Sequence, residues 1–243
     1  MNKEQFLKSL QKKELNYTEI FDKLYQGVID TNKMIGLCPK GLDSDELETL
    51  TRTYHKLRME EGKEIFTAIE NFDKVEYLDG LIDLLVVAGY EDYLHTGKKR
   101  VHYYINGGDL DYVEGYLDNP TTAACELVLE NVESILIDLD INLEQAVDTV
   151  LQSNLSKFPT HEDLSEGYAL SNTEVDLQCL IAWQCNHIEA AGRYTGVHCK
   201  KVVDSEGEER LTFWATHDKG EEKLKYVKPV TFSEPDFYSC WNV

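Results

Sequence analysis

The chain has 243 residues, 45 of them acidic and 24 basic, for a formal net charge of −21. Such an anion repels both the phosphate backbone of nucleic acids and anionic membrane surfaces, which argues against either as a partner. The length suits one large domain, or one domain with an appendage, and is ample for a buried core.

The opening MNKEQFLKSLQKKEL is polar and charged, without the apolar stretch of a signal peptide, and no apolar run approaches a membrane span. The cysteines (Cys38, Cys125, Cys179, Cys185, Cys199 and Cys240) are scattered with no C-x-x-C. They read as reduced thiols of a cytoplasmic protein.

Residues up to Tyr17 form a charged lead. Thr18 is placed to cap a helix whose apolar positions Ile20, Phe21, Leu24, Tyr25, Val28 and Ile29 recur at helical spacing, and Gly36 and Pro39 end it. Asp43 with Glu46 three residues on has the form of a capping box. The long helix it opens runs through Leu47, Leu50, Tyr54, Leu57, Glu61, Ile65, Ala68, Ile69 and Phe72. A second acidic helix follows Asp73 and ends around Gly89 or slightly beyond. From Glu91 to Pro120 the pattern breaks, with Gly97, Gly107 and Gly108, and an insertion is expected. Lys98-Lys99-Arg100, a basic run within it, could meet a triphosphate but reads first as a solvated loop. Two more helices are expected at Thr121–Leu136 and Leu143–Leu151, the second capped by Asn142. Beyond Pro159 the spacing predicts a helix over Asn172–Arg193 and strands over Val197–Val203 and Leu211–Thr216. Asp204-Ser205-Glu206-Gly207 supplies the turn between the strands.

The stretch from Met59 to Tyr90 carries the chemistry. Positions three and four apart share a helix face, so Glu60 and Glu61 both neighbour Glu64, and Glu76, Asp79 and Asp83 form a stripe on the next helix. Asp83 stands among Leu81, Ile82, Leu84, Leu85, Val86 and Val87, with no Lys or Arg between Lys74 and Lys98. A carboxylate in so apolar a helix needs a partner or a shifted pKa. Carboxylates facing each other across two helices suit a hard cation such as Mg²⁺, which prefers oxygen ligands and is often shared with phosphates.

Glu60-Glu61-x-x-Glu64 followed by Leu78-Asp79-Gly80-Leu81-Ile82-Asp83-Leu84 resembles the all-α nucleoside triphosphate pyrophosphatases. These include the MazG-like proteins, dimeric dUTPases and phosphoribosyl-ATP pyrophosphohydrolases, and the wording is nearest to stand-alone phage-type members. Ser153-Asn154-Leu155-Ser156-Lys157 resembles the signature that follows their last core helix. Lys225-Tyr226-Val227-Lys228-Pro229, then Pro235-Asp236, resembles their closing segment. The usual second acidic pair of that family is Glu-x-x-Asp. Glu76-x-x-Asp79 fits it literally, whereas the apolar run fits a register in which Asp83 is the ligand, Asp79 stands for the glutamate and Gly80 falls three residues before Asp83. Both registers stay open, and Asp79 belongs to either.

The resemblance implies a mainly α fold: a four- to five-helix core over residues 1–160, interrupted around 91–120, with a C-terminal helix and small β-hairpin over 161–243. It further implies hydrolysis of a (d)NTP to (d)NMP and pyrophosphate in the host cytoplasm during phage infection, by a homodimer or homotetramer. Glu61, Glu64, Glu76, Asp79 and Asp83 would hold Mg²⁺ (or Mn²⁺). Glu60 would orient or deprotonate the attacking water, and Asn154, Lys157, Lys225 and Lys228 would bind the triphosphate. Read without the resemblance, Asn154 and Lys157 are ordinary residues for a helix C-terminus, and the two later lysines suit a charged edge strand. Two alternatives stand beside this expectation. One is hydrolysis of a signalling nucleotide such as guanosine tetraphosphate. The other is a member that binds a nucleotide or a host protein without turnover, for which Gly80 is the sequence support. Cys185-x-His187 and His198-Cys199 lack the four ligands of a structural zinc site. Neither a P-loop nor a G-x-S-x-G elbow is present.

Overall fold

The computed structural model describes residues 16–101, 129–168 and 175–242. The N-terminal lead, most of the expected insertion, the start of the helix expected at Thr121, and the first residues of the one expected at Asn172 lie outside these. Among the described residues there are seven α-helices and one three-stranded antiparallel sheet, so the chain is mainly helical. No described helix is long and apolar enough to cross a membrane.

Helix α1 (Tyr17–Met34) buries all six of its expected apolar positions. Its N-cap is Asn16 rather than Thr18, and no side chain caps it, so Thr18 lies inside the first turn. Helix α2 (Ser44–Asn71) starts on the expected capping box. Asp43 Oδ1 accepts from the amides of Asp45 and Glu46, and the amide of Asp43 donates to Glu46 Oε2 at 3.0 Å. The helix stops one residue short of Phe72, which caps it in the left-handed region at φ 55° and is 82% exposed. Phe72 is therefore a turn residue, not part of the apolar stripe.

Asp73 then caps α3 (Lys74–Thr96) by accepting from the amides of Val75 and Glu76. This helix runs well past Gly89 to Gly97, which closes it at φ 66° with its amide on Tyr93 O at 2.8 Å. Glu91, expected in the insertion, is instead a buried helical residue at 6% exposure, held by His55 Nδ1 at 3.3 Å and Arg58 at 3.4 Å. Helices α2 and α3 thus fold back on each other as a hairpin about Phe72 and Asp73. They come close where Gly80 meets Ile65, and α3 meets α1 where Gly89 lies against the buried ring of Tyr25.

Helix α4 (Val132–Asp138) and α5 (Leu143–Ser156) complete the first core, with Asn142 Oδ1 accepting from the amide of Gln145 at 3.1 Å. Helix α5 extends five residues beyond the expected end. A second core gathers Leu164 of α6 (His161–Tyr168), Leu180 and Ile188 of α7 (Leu177–Ala190), and residues of the sheet. The sheet has three strands, β1 (Tyr194–Val203), β2 (Glu209–Asp218) and β3 (Glu221–Tyr226), rather than the two of a hairpin. The expected turn joins β1 to β2, with Asp204 Oδ1 accepting from the amides of Glu206 and Glu208.

After β3 the chain leaves the second core at Val227 and returns to the first, where it buries Phe237 and Cys240. On the way the amide of Ser233 donates to Ser156 Oγ at 3.0 Å, so this strap crosses the C-terminal end of α5. The amide of Asn142 donates to Cys240 O at 2.8 Å and Ile141 bridges to Trp241, which fixes the far end. That crossing positions the site.

Candidate active site

The six carboxylates expected at the site lie near the turn of the hairpin: Glu60, Glu61 and Glu64 on α2, and Glu76, Asp79 and Asp83 on α3. Glu60, Glu64 and Glu76 are exposed, and Glu61, Asp79 and Asp83 are half-buried. Burial pushes Glu61 up to about 8, helped by the charges of Asp83, Glu64, Asp79 and Glu60. Asp79 rises to about 7, first through burial and then through Asp83, Glu76, Glu64 and Glu234. The two helices thus bring Glu61, Glu64, Asp79 and Asp83 into one field, with Glu60 acting on Glu61 and Glu76 on Asp79 at its edges.

Asp83 is governed first by burial, as its apolar neighbours in sequence suggest. It rises only to about 6, because Lys157 and Lys228 oppose the effects of burial, Glu64 and Glu234. The charge partners that are missing between Lys74 and Lys98 come from far down the chain. Lys157 is the C-cap of α5, and Asn154 lies within its last turn rather than after it. Lys157 Nζ donates to Asn154 Oδ1 at 2.7 Å. Burial pulls the Lys157 ammonium below its usual range, against the pull of Asp83. Lys228 sits in the strap, paired with Glu234 at 3.0 Å.

Lys225 stands elsewhere. It faces Ala215 in β3, and its charge acts on Asp218, which two hydrogen bonds from Arg193 already hold below the usual carboxylate range. Of the two closing lysines it is Lys228 whose charge reaches Asp83. Two residues of the basic run are also committed elsewhere, Lys99 to Asp22 at 3.2 Å and Arg100 to Asp92 at 2.7 Å and Glu133 at 3.5 Å. Burial raises the thiols of Cys185 and Cys199, the latter to about 12, which keeps both protonated and poor metal ligands.

Gly80 has a packing role. A Cβ there would lie 2.8 Å from Ile65 Cγ1 and 3.3 Å from the Ile65 amide nitrogen. Position 80 therefore faces the backbone of α2, where no ligating side chain fits. Asp79 and Asp83 lie one turn apart on a single stripe, so the contact leaves both pairs in place, Glu76 with Asp79 and Asp79 with Asp83. Two members of the cluster carried no mark in the sequence. Glu234 and Phe232 lie in a segment without periodicity, and only the return of the chain brings them to α5. Their one sequence signal is that they fall between Lys228-Pro229 and Pro235-Asp236.

Among the described residues no three His, Cys, Asp or Glu side chains form a ready-made ligand set for a metal ion. The chemistry of the donors nonetheless fits a hard divalent cation. All are carboxylate oxygens, and three carry pKa values raised by burial and mutual repulsion, which a proton or a cation relieves. Compared with protein-family models, with curated proteins and with solved structures, the chain finds no match.

Proposed function

We propose that this chain hydrolyses a nucleoside triphosphate between its α- and β-phosphates, in a Mg²⁺-dependent reaction that yields a nucleoside monophosphate and pyrophosphate. The observation that carries this reading is that two lysines from distant parts of the chain, Lys157 and Lys228, act on Asp83, which shares one field with Glu61, Glu64 and Asp79. Lysines alone would bind any anion, and carboxylates alone would repel one. Together they suit a polyphosphate that arrives with a divalent cation.

Glu61, Glu64, Glu76, Asp79 and Asp83 are the residues to hold Mg²⁺ or Mn²⁺, which supplies neutralisation of the phosphate charge. Lys157 and Lys228 bind the outer phosphates, and Asn154 orients Lys157 through its 2.7 Å hydrogen bond. Glu60, exposed beside Glu61, takes the proton of the attacking water. The water oxygen joins phosphorus as the phosphorus–oxygen bond to the leaving pyrophosphate breaks, and the pyrophosphate departs as the anion. Dimers or tetramers, and a place in nucleotide-pool control during phage infection, belong to the same proposal through the resemblance alone. Binding of a nucleotide or a host protein without turnover stands beside it as the alternative, and metal-dependent release of pyrophosphate separates the two.

The test is product analysis across canonical and modified NTPs and dNTPs, with guanosine tetraphosphate included. Pyrophosphate with a monophosphate supports the proposal. Inorganic phosphate with a diphosphate, or no turnover of any substrate by folded protein, overturns it.

A further inference from the structure

Lys157 and Lys228 carry like charges and come from separate parts of the chain, so something must hold them together. Both ammonium groups lie over one aromatic ring. Lys228 Nζ is 3.9 Å, and Lys157 Nζ 5.7 Å, from the centroid of Phe232. The negative face of a ring attracts cations within about 6 Å. The ring itself is anchored on both sides. The amide of Phe232 donates to Pro229 O at 3.1 Å, closing a turn next to Lys228. The neighbouring amide of Ser233 donates to Ser156 Oγ, which in turn donates to Ser153 O at 2.7 Å in the last turn of α5. Phe232 is half-buried, so this is neither a free surface ring nor a core residue.

We propose that Phe232 is a positioning residue that sets Lys157 and Lys228 as a two-pronged clamp, facing Asp83, for the outer phosphates of the substrate. The choice of ligand rests on the function proposed above; the clamp rests on the ring. Lys228 holds Glu234 at 3.0 Å, and a phosphate oxygen takes the place of that carboxylate when substrate enters.

The experiment uses the full chain with inorganic tripolyphosphate and Mg²⁺ as the probe. Calorimetry gives the Kd for wild type, Phe232→Leu and Phe232→Tyr, and nuclear magnetic resonance gives the shifts of the lysine ε-methylene protons. In wild type the Lys228 ε-protons should be displaced upfield by the ring. Phe232→Leu should remove that displacement and weaken tripolyphosphate about fivefold, the scale of an exposed cation–π contact. Phe232→Tyr, which keeps the π-face, should restore both. Wild-type shifts at their random-coil positions overturn the clamp without recourse to any variant. So does equal binding by wild type and Phe232→Leu, or failure of Phe232→Tyr to restore it. Intact shifts and ring-dependent binding in a chain that hydrolyses no nucleotide leave the clamp standing and overturn only the proposed reaction.

Discussion

The contact between Gly80 and Ile65 links packing to function, and replacing the glycine tests that link. Gly80→Ala puts a methyl group 2.8 Å from Ile65 Cγ1 and 3.3 Å from the Ile65 amide nitrogen. Ile65 is fully buried, so its side chain has no solvent to turn into, and the nitrogen belongs to the helix backbone. Relief requires α2 and α3 to part. Overpacking of this kind costs about 1–3 kcal/mol, while alanine regains about 1 kcal/mol of helix propensity over glycine. The net is a loss of about 1 kcal/mol, or roughly 2–4 °C in Tm for a chain of this size. Parting the helices also separates Glu61 and Glu64 from Asp79 and Asp83, so Mg²⁺ should bind about tenfold more weakly, a loss like that from residues that orient ligands. Gly89→Ala is the control. Its Cβ would lie 2.5 Å from Tyr25 Cδ1, so it should also destabilise, but at the contact of α3 with α1 and with Mg²⁺ affinity unchanged. Thermal unfolding in chelator and calorimetric titration of Mg²⁺ read the two effects separately. A stabilised Gly80→Ala, as expected for an open helix face, would refute the close approach. Equal loss of Mg²⁺ affinity in both variants would refute its connection to the site.

Asp83→Asn should lower Mg²⁺-dependent turnover about 10²- to 10³-fold, the usual loss of one electrostatic stabiliser, with the fold intact by circular dichroism. Full activity would remove Asp83 and leave Glu76 with Asp79, and Glu70→Gln, on an exposed part of α2, should change little. Stability should depend on pH in an unusual sense. Glu61, Asp79 and Asp83 ordinarily titrate at 4.5 or 3.8 but at about 8, 7 and 6 in the fold. The folded chain therefore holds more protons than the unfolded one across that window, and the stability these groups contribute is lost as pH rises from about 4 to about 8. Melting in chelator should show Tm falling over this range, and Mg²⁺ should raise Tm more at its alkaline end; a Tm contribution from these acids that rises with pH would contradict it. Lys228→Gln should raise the KM for nucleotide at least about tenfold, as expected on losing a charge-assisted hydrogen bond. Lys225→Gln, beside Asp218, should leave KM within about twofold by the same scale; equal effects would return Lys225 to the site.

The local part of this arrangement was legible in the sequence. The stripe of α1 is buried at every expected position because helical periodicity reports a core face directly. Asp43 and Glu46 form their box because capping needs residues only three apart. Long-range pairing was not legible. Glu91 looks like the start of a polar insertion until His55 and Arg58 of α2 are seen to hold it. Strand β3, EEKLKY, shows no apolar alternation and is ordered by its pairing to β2. Asp83 read as a buried carboxylate without partners, because Lys157 and Lys228 reach it only through the C-terminus of α5 and the strap. Phe232 and Glu234 owe their place to the same chain return, which no spacing in the sequence encodes.

The most direct measurement is pyrophosphate release from the nucleotide panel by wild type and Asp79→Asn, each with Mg²⁺ and with chelator. Asp79 belongs to the cluster in either register of the acidic pair. Pyrophosphate should appear with wild type and Mg²⁺ alone, and be lost on chelation or on Asp79→Asn in a chain that still melts cooperatively. Release that persists in chelator, or that Asp79→Asn leaves untouched, would place the chemistry outside these two helices.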